Sequence, residues 1–164
     1  MSEPATPEKL ITIGAYGKSA TTFFDALIRA GVDLFCDIRQ RRGVRGSEYA
    51  FVNSTRLQSK LAELGIAYRH VPDLAPTTEI RERQYAADQL QGVTKRARLE
   101  LGQTFKELYT HNVLDHFNAD AFRSSLGNAR RVAFFCVEGA PAACHRSLVS
   151  ERLHNEWAVP VQHL

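Results

Sequence analysis

No apolar run in the 164-residue chain approaches the roughly 18 residues that a membrane-spanning helix requires, because charge or glycine interrupts each one. The opening MSEPATPEKL has no hydrophobic core of the signal-peptide kind, and three cysteines (Cys36, Cys136, Cys144) are too few for a secreted disulfide framework. The expectation is a soluble, cytoplasmic protein with reduced thiols and no membrane partner. Charge of one sign is also in short supply: the net is +3, too little for wholesale nucleic-acid binding, so the distribution of charge matters more than the total.

The chain is long enough for one well-buried core, and repeats of solenoid type are absent. Residues 1–9 are polar with two prolines and read as a flexible or loosely docked tail; residues 10–164 read as a single domain. LITIG supplies a first strand. Residues 19–30 then place Phe23, Phe24, Leu27 and Ile28 on one helical face, with Gly31 suited to end the helix before the strand VDLFCDIR.

Asn53 or Ser54 opens a second helix with Leu57, Leu61 and Leu64 in one stripe, Gly65 closes it, and IAYRHV is the third strand. After the loop PDLAP, residues 79–110 predict two charged helices broken around Gly92, and residues 119–126 a short one. The unbroken apolar VAFFCV suits a strand covered on both faces. A helix carrying Val149, Leu153 and Trp157, and a strand near residues 160–163, complete the chain.

Strands alternating with helices imply a three-layer α/β sandwich, Rossmann-like or flavodoxin-like, with a mostly parallel sheet of about five strands. The expected order is 3-2-1-4-5, which places a ligand crevice beyond the carboxyl ends of strands one and four. Polar residues collect at that edge: Gly14, Tyr16 and Gly17 after strand one; Asp37, Arg39, Arg41, Arg42 and Arg45 after strand two; Asp73 after strand three; Cys136 and Glu138 after strand four. Cys144, His145, Arg146 and Ser147 open the following helix at the same edge.

A helix start attracts anions through its free N–H groups and dipole, and Arg146 adds a planar donor fork. The same field favours a thiolate at Cys144, which makes it a candidate nucleophile if exposed. The competing structural reading packs Cys144 against strand four and pairs Arg146 with Glu138 or Asp37. A metal on Cys136, Cys144 and His145, with Glu138, is weakly supported because seven residues separate the cysteines, unlike a zinc knuckle; no metal or cofactor is assigned. A Cys-x5-Arg cradle counted from Cys136 fails, since that position is Ala142.

Arg41, Arg42 and Arg45 lie in a glycine-punctuated loop that can approach a phosphate, and Tyr49 and Phe51 are packing residues or base-stacking ones. Lys95, Arg96 and Arg98 could extend the basic surface if their segment folds over the sheet edge. His70 and His163 have no spaced partner and read as structural.

TIG, GVDLFCDIR, GIAYRHVPDL, FFCVEGAPAACHRSLV and VQHL together resemble the domain of unknown function 488 family, along nearly the whole chain. RRGVRGSEYAF and PDLAPT resemble one branch of it; Ala15 stands where other members often carry a histidine, a role Tyr16 could take in part. The resemblance implies an α/β fold and a shared polar site at Asp37, Arg39, Glu138, Cys144, His145 and Arg146, but no activity.

The leading expectation is a small anionic or phosphorylated ligand, a nucleotide among the candidates, held by Gly14, Tyr16, Arg39, Arg42, Arg45, Arg146 and Ser147. Asp37, Glu138 and His145 would serve as acids or bases beside Cys144. The alternatives are a nucleic-acid module using Arg41, Arg42, Arg45, Lys95, Arg96 and Arg98, or a non-catalytic interaction protein. The sequence leaves the oligomeric state open.

Overall fold

The computed structural model describes residues 3–164. Five strands, β1 (Lys9–Ile13), β2 (Leu34–Asp37), β3 (Ala67–His70), β4 (Arg131–Phe135) and β5 (Val161–His163), form one parallel sheet in the order β3-β2-β4-β1-β5. The α/β class is as expected, but β1 and β4 exchange places relative to the predicted order. The physical reason is that both strands carry the same burial pattern, one half-buried residue and then four buried ones, so nothing in their residues ranks one nearer the centre. The edge strands are legible because they are polar or exposed: β3 and β5 contain no buried residue.

The helices are α1 (Ala20–Arg29), α2 (Ser54–Glu63), α3 (Thr78–Gln91), α4 (Gln103–Asn112), α5 (Ala119–Ser125) and α6 (His145–Trp157). Ser19 caps α1 by a reciprocal exchange with Thr22, and Gly31 and Gly65 take the left-handed turns that release the chain into β2 and β3. Phe23 of α1 packs edge-on against Phe35 and Phe135, which fixes one face of the sheet; Phe122 of α5 stacks on Trp157 of α6 and meets Phe134 on the other. The tail is tied down at its end, with Pro7 buried and the Glu8 N–H donating to Arg130 O at 2.7 Å. No described helix is long and apolar enough to cross a membrane.

The exchange of β1 and β4 relocates the crevice. The chain leaves β2 outward to β3 and leaves β4 the other way, across β1 to β5, so the order reverses between β2 and β4 rather than between β1 and β4. Asp37 and Phe135 are register partners there, and the segments following them form the site.

Candidate functional site

A cavity of about 350 Å³ opens beyond β2 and β4. Its floor is made by Cys136 and Glu138 from the end of β4 and by Cys144 and His145 from the start of α6. Its walls come from the loop after β2, which supplies Arg39, Arg41 and Arg45, and from α3 and the turn after it, which supply Arg81, Lys95, Arg96 and Arg98. Of the predicted ligand-binding residues, Tyr16, Arg39 and Arg45 line the cavity; Gly14, Arg42, Arg146 and Ser147 do not.

Arg146 corrects the expectation of an anion-holding arm. Its side chain is wholly buried, with Nη1 donating to Glu138 O at 2.5 Å and Nη2 to Gly139 O at 3.0 Å. It clamps the loop after β4 and has turned away from the crevice. Neither does it pair with Glu138 or Asp37 carboxylates, the alternative expected of it. Ser147 donates to Cys144 O at 2.8 Å, closing the first turn of α6, and Arg42 reaches Tyr68 Oη at 3.4 Å. Gly14 serves close approach, since a side chain there would strike Glu138 O.

Asp37 is also drawn inward. It accepts from Arg39 Nε at 2.9 Å and Nη2 at 2.8 Å, a bidentate pair, and from the Tyr68 hydroxyl at 2.8 Å. Asp37 does not line the cavity and is saturated by these donors, so it positions Arg39 instead of acting as an acid or base on a ligand. Arg39 lies 4.7 Å over the Phe135 ring, and its Nη1 is buried without a partner among the described residues.

Glu138 ends a buried polar chain that residue spacing did not reveal. Gln84 donates to Asp88 at 2.7 Å, Arg98 Nη1 to Asp88 at 2.6 Å and Arg98 Nη2 to Glu138 Oε1 at 3.0 Å. Arg98 is therefore an internal bridge, not part of an exposed basic face, and it sits in an irregular segment beyond α3. Two signals point to this network in retrospect: Gln84 and Asp88 are one helical turn apart, and Arg98 follows ten residues after Asp88. Burial raises the Glu138 carboxyl, reinforced by Cys136 and opposed by Lys95.

At the floor, the Cys144 sulfur caps α6 by accepting the Arg146 N–H at 3.4 Å, and lies 3.7 Å from His145 Nδ1. His145 Nε2 sits 2.9 Å from Ile38 O. Burial alone would lower the His145 pKa, but Cys136, Glu138 and the Ile38 carbonyl reverse that and raise it. Cys136 Sγ donates to Glu138 Oε2 at 2.9 Å, and burial pushes this thiol up to about 11. His70 and His163 have intramolecular partners, Arg39 O at 3.0 Å and the Thr12 hydroxyl at 2.6 Å; Asp73 is exposed and outside the cavity.

The three cysteines are unpaired, and all three are buried. Cys36 is fully buried in β2, its thiol pushed up to about 12 by burial; Cys136 and Cys144 border the cavity but are only 5% and 1% exposed, so the exposure that a nucleophilic Cys144 requires is not met. Brief treatment of the native reduced chain with iodoacetamide is expected to leave Cys36 and Cys144 both largely unmodified, and unfolding in urea to open both to the reagent, read by peptide mass spectrometry. Rapid labelling of Cys144 in the native chain would contradict its burial at the cavity floor.

The chain belongs to the family described as domain of unknown function DUF488, whose model matches residues 19–153. No curated protein and no solved structure matches it.

Proposed function

We propose that the cavity between β2 and β4 binds a small anionic or phosphorylated ligand, a nucleotide among the candidates, with Cys144 as a thiol within reach of whatever occupies it. The observation that carries this reading is charge: seven arginine and lysine side chains line the cavity against one carboxylate, Glu138. Arg39 and Arg98 are engaged with internal carboxylates, while Arg41 and Arg45 are exposed and have no side-chain partner among the described residues. Arg96 stacks 5.3 Å over Tyr16 and 5.0 Å over Tyr49, which makes Tyr49 a support for the cationic rim. A concave site with cations converging from two walls favours a compact anion over an extended polymer backbone. A reducing, cytoplasmic setting suits the three unpaired thiols.

Thermal denaturation with phosphate, sulfate and nucleotides tests the reading. A ligand at a hundred times its Kd adds about 2.7 kcal/mol of apparent stability, and Arg45→Ala or Arg96→Ala is expected to weaken binding by about ten-fold each. Both side chains are exposed, so the variants keep the fold. An unmoved melting temperature across the anions would discard the proposal. Stabilisation by duplex DNA alone, declining steeply with salt, would transfer it to nucleic acid.

A further inference from the structure

We propose that Cys136, Cys144 and His145 form a binding site for a thiophilic divalent metal ion, zinc foremost, on the floor of the cavity. The inference stands on the donor atoms alone and does not depend on the anion reading. Both sulfurs and a ring nitrogen lie within 4.8 Å of one another, and all three residues are buried. Zinc binds thiolate at about 2.3 Å and imidazole at about 2.0–2.1 Å, so donors in a tetrahedral site stand about 3.5–3.8 Å apart. The 3.7 Å between Cys144 Sγ and His145 Nδ1 already meets that spacing. From a separation of at most 4.8 Å, the remaining donors need to close by at most about 1.3 Å.

The second contacts of these donors orient them for coordination. Ile38 O can only accept a hydrogen bond, so His145 Nε2, 2.9 Å away, must carry the proton of the neutral ring. Nδ1 is then left with its lone pair directed towards the sulfur side. A hydrogen bond from the far ring nitrogen to a backbone carbonyl is the usual support of a ligating histidine, fixing its tautomer and orientation. Tyr109 packs edge-on against the same ring at 5.4 Å and restricts its rotation further.

Glu138 provides for the thiols. Its Oε2 accepts from Cys136 Sγ at 2.9 Å while Oε1 is held by Arg98 at 3.0 Å. On metal binding, Cys136 and Cys144 each exchange S–H for a sulfur–metal bond, and their two protons leave to solvent through this carboxylate or directly. Two thiolates neutralise the divalent charge, which allows the ion to sit beneath a cationic rim. Thiolate and imidazole donors favour zinc, cobalt or copper over magnesium and calcium. With three protein donors, a fourth position remains on the cavity side, for water, Glu138 or a ligand.

The seven-residue interval between the cysteines argued against a zinc knuckle, where both come from one tight turn. Here they come from two rigid elements, the end of β4 and the first turn of α6, so spacing along the chain carries no information about distance between them.

Cobalt(II) added to the whole chain, kept reduced with a phosphine, tests the site. The expected result is one equivalent bound with a thiolate-to-cobalt charge-transfer band and intense tetrahedral d–d bands, displaced by zinc but not by magnesium. Cys136→Ser and Cys144→Ser should each reduce the charge-transfer band by about half or more, since one of two thiolates is lost. Cys36→Ser should leave it unchanged. No charge-transfer band in the wild-type chain would overturn the proposal, and so would a band that depends on Cys36 instead. The anion-induced melting shift of the metal-free chain is a separate readout, so failure of either proposal is visible without the other.

Discussion

Replacing Gly14 with alanine is expected to cost about 3 kcal/mol or more and to lower the melting temperature by roughly 10 °C for a chain of this size. A Cβ at this position would stand 1.9 Å from Glu138 O and 2.9 Å from its carbonyl carbon, far inside contact distance. The carbonyl cannot turn aside, because Arg146 Nη1 donates to it. The segment after β1 cannot retreat either: the N–H groups of Ala15 and Tyr16 both donate to Val137 O, at 3.0 and 2.9 Å. Relief requires the β1 and β4 loops to separate at the mouth of the site. Gly17→Ala makes the control, since nothing lies near its missing Cβ and only its φ of 87° opposes a side chain, a cost of about 1 kcal/mol. Melts of the two variants should differ plainly; a Gly14→Ala chain melting with the Gly17→Ala chain would mean that the loops are not in this contact.

The same junction shows what residue patterns could and could not reveal. Helices and their ends were legible, because an apolar stripe followed by Gly31 or Gly65 has one economical solution, and both glycines adopt positive φ. Strand existence was legible for the same reason, and so was the edge at which polar residues gather. Strand order was not, since β1 and β4 share one burial pattern and nothing in their residues ranks one nearer the centre. That choice moved the crevice by one strand.

Cys136, Glu138, Cys144 and His145 border one cavity, because strand ends and helix starts share one edge. The arginines were harder. Arg39, Arg98 and Arg146 are all buried; the spacing of β2 puts Asp37 beside Arg39, but the Phe135 ring under Arg39, the Asp88 and Glu138 carboxylates on Arg98 and the two loop carbonyls on Arg146 are not brought near by spacing alone. A guanidinium has the same appearance in a sequence whether it grips a ligand or a loop. Arg41 and Arg45, in the glycine-punctuated loop expected to approach a phosphate, line the cavity with no side-chain partner among the described residues.

Arg146 therefore separates two accounts of the site by one measurement. As a loop clamp, Arg146→Met is expected to cost about 3–5 kcal/mol, since methionine fills much of the space but leaves Glu138 O and Gly139 O without donors, at about 1–3 kcal/mol each. Arg146→Lys, with one ammonium in place of the fork, can serve one carbonyl well and should lose about half as much. As a ligand arm, the residue would instead leave the urea midpoint unchanged and abolish anion-induced stabilisation. The clamp also predicts coupling with Gly14. Once Arg146 no longer fixes the Glu138 carbonyl, that carbonyl can move from an incoming methyl, so Gly14→Ala should cost less in the Arg146→Met background than alone. Costs that add within about 0.5 kcal/mol would show that the carbonyl is held by the strands and not by the arginine.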